Sequence, residues 1–221
     1  MLKHWSSDEP LSPLAPSWRI PFFETRLMDA AACDALREAV RCHSAEVLSL
    51  PPGSDGNTGL GATSMTARFQ RYNVLSWEEP SIQLLKTSLH RSYLEFIKAL
   101  GLERQRVYIQ CWANVLRSGQ FMGRHVHTTG PWAYISGNFS LSNSPAQTVY
   151  NYLYDDAYAL PMPSLEGRLV LFPSYIPHRT TRHVGSDTRM SIAFDIALPE
   201  GRRPDRSYVL FDVPNEDDAL P

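Results

Sequence analysis

The spacing of apolar residues changes near Arg106, and this change limits what the chain can fold into. Before Arg106, apolar residues recur three and four positions apart, which is typical of amphipathic helices. From Val107 to Val115 every second residue is apolar, which is the period of a strand that buries one face. The sequence therefore predicts helices first and a sheet after them.

Two helices are predicted before the change of period. Asp29 can cap a helix over residues 29–48, and two prolines soon after its end prevent it from continuing. A second helix is predicted over residues 80–100. It has Pro80 in its first turn and Gly101 after its end, as helix termini favour.

Two segments in the first half of the chain are predicted to lack regular secondary structure. Residues 1–20 are rich in proline and are predicted to form an extended N-terminal arm or to be disordered, beside a single domain over residues 21–221. Residues 51–64 are rich in Gly, Ser and Asn. This loop is a candidate lid over a functional site, or a mobile loop without that role.

Short strands separated by turns fill the second half of the chain. Beyond the strand that starts near Arg106, they are predicted at residues 132–141, 147–154, 168–173, 178–184, 188–197 and 206–211. Strands of this kind without long helices between them favour an antiparallel barrel or jelly roll, here over residues 106–211. The fold class is therefore α+β, with the helices packed outside the sheet.

Three histidines have a spacing that a barrel can bring together. His125 and His127 are two positions apart, so in a strand both side chains point to the same face. His178 follows a turn-forming Phe-Pro-Ser segment, which His183, the alternative third member, lacks. Three neutral imidazoles suit a divalent metal such as iron(II) and leave coordination positions open. The alternative is that His125 and His127 are only polar residues at the mouth of a sheet.

Arg189 and Ser191 share one face of a predicted strand in the same barrel. An arginine that faces the interior of a barrel is costly unless it meets an anion. A guanidinium with a hydroxyl two residues later is well matched to a carboxylate. The alternative is an edge-strand arginine in solvent.

Composition excludes several classes of protein. The 21 Lys+Arg nearly balance the 23 Asp+Glu, so the net charge of −2 gives no electrostatic reason to expect nucleic-acid binding or attraction to an anionic membrane. No apolar run is long enough for a signal peptide or a membrane span. The 3 cysteines form neither a metal-type pair nor an even-numbered disulfide framework. We therefore expect a cytoplasmic protein.

In order along the chain, these motifs resemble the iron(II)- and 2-oxoglutarate-dependent oxygenases, in particular a bacterial branch of them. They are the His-x-His pair, the series Gly-x-Leu-Val-Leu-Phe-Pro-Ser-x-x-x-His that ends at His178, and the Arg-x-Ser-Ile-Ala-Phe series that starts at Arg189. The resemblance covers residues 106–197. It implies a double-stranded β-helix, which is a jelly-roll, cupin-like barrel with supporting N-terminal helices.

The resemblance also implies a ligand set. His125 and His178 match the two histidine ligands of the superfamily, whereas His127 stands where an aspartate or glutamate is commoner. His127 either ligates the metal, which makes a three-histidine site, or lies behind it. In the second case a water or a distant carboxylate such as Asp155 or Asp156 completes the set.

The implied activity is that of a non-haem iron(II) dioxygenase with 2-oxoglutarate as co-substrate. Arg189 is then the anchor for the distal carboxylate of 2-oxoglutarate, with help from Ser191. Asn114 contacts the co-substrate or the substrate, or else satisfies backbone groups inside the barrel. The enzyme would oxidise a small-molecule or amino-acid-like substrate, by hydroxylation in the first instance, and release succinate and CO2.

Two other functions remain open from the sequence. A cupin-type dioxygenase with three histidines and no 2-oxoglutarate explains His125, His127 and His178, but it leaves Arg189 and Ser191 without a partner. A jelly-roll binding module without catalytic activity predicts weak or absent iron binding. Formation of succinate that depends on 2-oxoglutarate separates the first of these from the oxygenase, and tight iron(II) binding separates the second.

Overall fold

The structure is a computed structural model that describes residues 1–7, 10, 12–154 and 156–214. Its strands and long helices are, in chain order, β1 (Leu2–Ser6), β2 (Arg19–Arg26), α1 (Ala30–Ser49), α2 (Pro80–Ala99), β3 (Val107–Leu116), β4 (Ile135–Ser140), β5 (Ser144–Asn151), β6 (Ala159–Ser164), β7 (Arg168–Pro173), β8 (His178–Thr180), β9 (Arg189–Ala197) and β10 (Val209–Asp212). Short 3₁₀ turns lie at Thr66–Arg68, Val74–Ser76, Tyr152–Tyr154, Asp156–Tyr158 and Pro199–Gly201.

The two long helices begin and end close to where the sequence predicts. The side chain of Asp29 accepts a hydrogen bond from the Ala32 amide at 2.9 Å and so caps α1. Helix α2 has Pro80 at its first position. Gly101 follows its end with φ of +66°, a left-handed conformation that glycine adopts at no steric cost.

The strands form two antiparallel sheets that together make the double-stranded β-helix. The larger sheet has the order β1-β2-β7-β4-β9-β3-β10, and the smaller has the order β6-β5-β8. The predicted α+β class with a jelly-roll barrel and supporting helices is thus confirmed. Strands β1 and β2 join the larger sheet although they precede the helices, and the sequence pattern did not predict them.

Strand β6 was also missed by the sequence pattern, for a physical reason. It contains Pro161 and Pro163, which cannot donate to a ladder of hydrogen bonds and which argue against a central strand. The structure places β6 at the edge of the smaller sheet, where only β5 pairs with it. Proline is tolerated at such an edge.

Alternate side chains of β9 face two different interiors. Met190, Ile192, Phe194 and Ile196 belong to the large core in which α1 and α2 pack against the larger sheet. A smaller core with Phe22, Tyr150 and Phe172 lies between the two sheets. The remaining residues of β9 therefore line the inside of the barrel. No helix in the described ranges is long and apolar enough to cross a membrane.

Gly137 on β4 lies directly opposite Phe194 on β9, and the phenylalanine ring covers it. A Cβ atom at position 137 would stand 2.1 Å from the Cζ atom of Phe194, which is far inside van der Waals contact. Phe194 is fully buried, so its ring cannot move aside freely. Only glycine fits at this position.

We expect Gly137→Ala to lower the free energy of unfolding by about 1–3 kcal/mol, because the added methyl group overpacks the core. Urea denaturation measures the change. Gly130→Ala is the matched control, since the nearest atom to its new Cβ would be the Thr128 hydroxyl at 3.9 Å. A stability of Gly137→Ala equal to that of the control would contradict this account of the packing.

Candidate metal centre

The three histidines come together at one end of the barrel. The backbone amides of His125 and His178 donate to each other's carbonyl oxygens, at 3.0 Å and 2.9 Å. One ring nitrogen from each of His125, His127 and His178 lies within 4.8 Å of the others. The His-x-His pair lies outside the regular strands, with an isolated bridge at His125 and a bend at His127, yet both rings join the same cluster.

Every one of the three imidazoles uses its Nδ1 atom in a hydrogen bond to a group that can only accept. His125 Nδ1 donates to the Gly123 carbonyl at 2.8 Å, and His178 Nδ1 donates to the Ile176 carbonyl at 3.0 Å. His127 Nδ1 donates to Oδ1 of Asp195 at 2.5 Å. In the neutral form of an imidazole held in this way, the proton is on Nδ1 and Nε2 carries a free lone pair.

Burial keeps two of the rings neutral. It lowers the pKa of His125 to about 4, with a further contribution from the neighbouring His127. Burial also lowers the pKa of His178 well below its usual range, and His125 and His127 act in the same direction. Both rings are uncharged at neutral pH, which is the form that binds a metal ion.

Asp195 on β9 is a residue of the site that the sequence analysis missed. Its Oδ1 also accepts from the Ser136 hydroxyl at 2.7 Å, and its Oδ2 accepts from Arg206 Nη1 at 2.8 Å. Although burial raises its pKa, the adjacent His127, Arg206 and Ser136 hold it well below the usual range. Asp195 lies four positions after Ser191, so the same alternation places it on the strand face of Arg189 and Ser191. The sequence pattern therefore contained the information needed to select it.

Arg189 is 1% exposed and has no acidic partner in the described part of the chain. Its Nε donates to the Ser164 hydroxyl at 2.9 Å, and its Nη2 donates to the Thr148 hydroxyl at 3.2 Å. No described group accepts a hydrogen bond from its buried Nη1, and the hydroxyl of the nearby Tyr150 is also buried without a partner. Burial lowers the pKa of Arg189 to about 10, so the residue is charged at neutral pH.

Ser191 and Asn114 lie opposite each other on β9 and β3, so their side chains share a face. Both are buried, and both line the cavity that contains the three histidines and Arg189. Oδ1 of Asn114 accepts from the Thr66 hydroxyl at 2.7 Å. The structure thus brings together all six residues that the sequence analysis selected, while their roles stay predictions.

The cavity encloses about 660 Å³ of space, part of which is open to solvent. Its exposed wall is mostly apolar, and Phe69, Trp112 and Met122 are among the residues that line it. Asp55 and Thr58 of the predicted lid segment 51–64 also line it. This segment is attached to the rim, since the Thr58 carbonyl accepts from the Gly123 amide at 2.7 Å.

Two other candidates for the ligand set, His183 and Asp156, lie outside the histidine cluster. His183 is buried elsewhere, with Nδ1 at 3.0 Å from the Ser144 hydroxyl and Nε2 at 2.5 Å from the Asp187 carbonyl. Asp156 is exposed and pairs with Arg124 at 2.7 Å. Asp155 lies outside the described residues.

Residues 140–195 match the model of a protein family described as "Putative 2OG-Fe(II) oxygenase". The matched segment includes His178, Arg189, Ser191 and Asp195, and it begins after the His-x-His pair. No curated protein sequence resembles the chain significantly.

Solved structures of oxygenases resemble the fold. A prolyl-4-hydroxylase from Pseudomonas putida superposes with a TM-score of 0.56 at 17% identity, over 78% of this chain and 90% of its own. The nickel complex of the non-haem monooxygenase ThoJ superposes with a TM-score of 0.58 at 16% identity, over 90% of this chain and 83% of its own. A prolyl hydroxylase from Trichoplax adhaerens superposes with a TM-score of 0.55 at 12% identity, over 81% of this chain and 84% of its own. At sequence identities this low, the similarity to these structures shows a shared fold alone.

We expect Arg189→Met to leave the ligand-free protein as stable as the wild type or more stable by about 1 kcal/mol. Removing a buried charge that has no counter-charge relieves a desolvation cost of several kcal/mol, whereas each lost hydrogen bond costs only about 1 kcal/mol. Urea denaturation of the metal-free protein measures the difference. A loss of more than about 2 kcal/mol would mean that Arg189 serves the fold rather than a ligand.

Proposed function

We propose that the chain is an iron(II)- and 2-oxoglutarate-dependent oxygenase in which His125, His127 and His178 hold iron(II) and Arg189 and Ser191 bind 2-oxoglutarate. The family match over residues 140–195, the similar fold of solved oxygenases and the cluster of three histidines support this proposal. The enzyme would use this pair to oxidise a small-molecule or amino-acid-like substrate. Hydroxylation of a C–H bond is the reaction that we propose first.

The observation that carries this proposal is the hydrogen bonding of three clustered imidazoles. Acceptors at Nδ1 leave the Nε2 atoms of all three histidines free, and one ring nitrogen of each histidine lies within 4.8 Å of the others. Imidazole nitrogen is a good ligand for iron(II), and three such ligands leave coordination positions for other molecules. The donor set therefore fits the metal of the superfamily.

A second observation favours 2-oxoglutarate over a dioxygenase reaction that does without it. Arg189 is buried, charged and without an acidic partner among the described residues, and it lines the same cavity as the histidines. A dicarboxylate with one end at the metal supplies the missing counter-charge at the other end. A reaction without 2-oxoglutarate leaves this buried charge uncompensated.

Bound together, iron(II), 2-oxoglutarate and dioxygen supply an oxidant for a substrate C–H bond, with succinate and CO2 as co-products. The chain contributes position and exclusion of water. The guanidinium of Arg189 donates to the distal carboxylate, Ser191 adds a hydroxyl donor, and Asn114 offers a fixed amide to the co-substrate or the substrate. Segment 51–64 is the proposed lid over the mouth of the cavity.

The substrate class rests on the cavity and the charge. A mostly apolar cavity with a few converging polar groups is typical of a site for a small molecule, and it would also suit one residue of a peptide. The net charge of −2 gives no support to a nucleic-acid substrate. We also propose a cytoplasmic location, because Cys33, Cys42 and Cys111 are free thiols, which a reducing compartment preserves.

Binding of the co-substrate can be measured before the substrate is known. We expect 2-oxoglutarate to raise the melting temperature of the Co(II)-loaded protein, and 2-oxobutyrate, which lacks the distal carboxylate, to do so much less. Arg189→Met should weaken 2-oxoglutarate binding by about 30-fold or more, because truncating a buried charge partner costs 2 kcal/mol or more.

Arg104→Met is the control for this experiment, since its guanidinium pairs with Asp212, which does not line the cavity. It should leave the shift caused by 2-oxoglutarate unchanged. Equal shifts with both oxo acids in the wild type would contradict the assignment of Arg189.

Turnover tests the reaction class. With iron(II), dioxygen and candidate substrates, we expect succinate to form in proportion to 2-oxoglutarate consumed, and His178→Ala to form none because it lacks a metal ligand. Oxygen uptake that is unchanged without 2-oxoglutarate would instead support the three-histidine dioxygenase. A protein that binds neither metal nor 2-oxoglutarate would support a binding module.

A further inference from the structure

We propose that Asp195 is the positioning residue of the metal site, which holds the His127 imidazole with Nε2 toward the metal and makes that nitrogen a stronger ligand. This inference rests on the proposed three-histidine site and goes beyond it. Asp195 would not touch the metal itself, but it would determine how well His127 binds the metal.

The carboxylate of Asp195 is fixed from three sides. Oδ1 accepts from His127 Nδ1 at 2.5 Å and from the Ser136 hydroxyl at 2.7 Å. Oδ2 accepts from Arg206 Nη1 at 2.8 Å. The side chains of Asp195, His127 and Arg206 are each less than 10% exposed, so water does not compete for these bonds. A carboxylate held in this way cannot turn away from the imidazole.

His127 differs from the other two histidines in how its ring is held. The rings of His125 and His178 donate to the backbone carbonyls of Gly123 and Ile176, which are neutral and come with the chain itself. The ring of His127 donates to a charged side chain on another element, β9. Of the three rings, therefore, His127 is the one whose orientation depends on a single replaceable residue.

The charge of Asp195 has a chemical consequence for the metal. Three neutral imidazoles bring no negative charge to a divalent cation. A carboxylate that accepts the Nδ1 proton of a ligating imidazole makes Nε2 more basic, and the loss of such a partner typically weakens metal binding 10–100-fold. Among the described residues, Asp195 is the acidic group with a hydrogen bond to one of the three histidines, His127.

The chain contains a matched control for this arrangement. Asp212 on β10 is also buried, accepts from His90 Nε2 at 2.9 Å and pairs with Arg104 at 2.7 Å. It therefore has the same kinds of partner as Asp195, and it does not line the cavity. Asp212→Asn removes an equivalent buried charge without affecting the metal site.

The test is a titration of the full-length protein with Co(II), followed by visible absorption and by calorimetry. We expect Asp195→Asn to raise the Kd for Co(II) about 10–100-fold, whereas Asp212→Asn leaves it within twofold of the wild type. In a His127→Ala background, Asp195→Asn should add less than a twofold change, because the imidazole through which it acts is absent.

Two results would overturn the inference while leaving the metal site intact. One is a Co(II) affinity of Asp195→Asn within twofold of the wild type. The other is a loss of the same size in the His127→Ala background, which would make Asp195 a structural residue only. Failure of the wild type to bind Co(II) at all would instead overturn the proposed site, and this inference with it.

Ser136→Ala provides the measurement if Asp195→Asn does not fold. It keeps the charge of Asp195 and removes the hydroxyl that steers Oδ1 toward the imidazole. We expect the Kd for Co(II) to rise about threefold, as the loss of one supporting hydrogen bond implies. An unchanged Kd in Ser136→Ala would count against the positioning role.

Discussion

Alternation along strand β9 is the constraint on which both the core and the candidate site depend. Arg189, Ser191, Ala193 and Asp195 line the cavity, whereas Met190, Ile192, Phe194 and Ile196 pack in the core beneath the helices. Because side chains of a strand alternate strictly between its faces, a shift of one residue in register would exchange these two sets. The hydrophobic packing of one face therefore fixes the position of every polar group on the other.

The two buried arginines of the cavity are arranged in opposite ways. Arg206 is neutralised by Asp195, and its guanidinium also lies 4.8 Å from the ring of Phe69. Arg189 has only hydroxyl partners, Ser164 and Thr148, among the described residues. The cavity thus carries one uncompensated positive charge at a fixed place. A charge that is costly to the fold and lies near three metal-type ligands is what a site for an anionic co-substrate requires.

Much of the site could be predicted from the sequence, because its residues lie on strands with a clear period. Arg189 and Ser191 follow from alternation on β9, whereas Asn114 was selected from the resemblance to the oxygenases. His125 and His127 share one cluster, as their spacing predicts, although they lie outside the regular strands.

Other features depend on tertiary contacts that no local pattern contains. By its pattern, Asp195 is one more inward residue of β9, and only the structure shows that His127 and Arg206, from two other segments, contact it. Strand β2 includes Pro21 and lacks alternation, so its place inside the larger sheet could not be read from its composition. The Nδ1 partners of His125 and His178 are backbone carbonyls, which every residue has and which therefore leave no trace in the sequence.

The proposed site has three imidazole Nε2 atoms on iron(II) beside a 2-oxoglutarate anchored by Arg189. It can be examined in an anaerobic crystal structure of the protein with iron(II) and 2-oxoglutarate. We expect Nε2 of His125, His127 and His178 at about 2.1 Å from the metal, as is usual for imidazole ligands, with the distal carboxylate on Arg189. Iron bound without His127, or a co-substrate carboxylate away from Arg189, would contradict it.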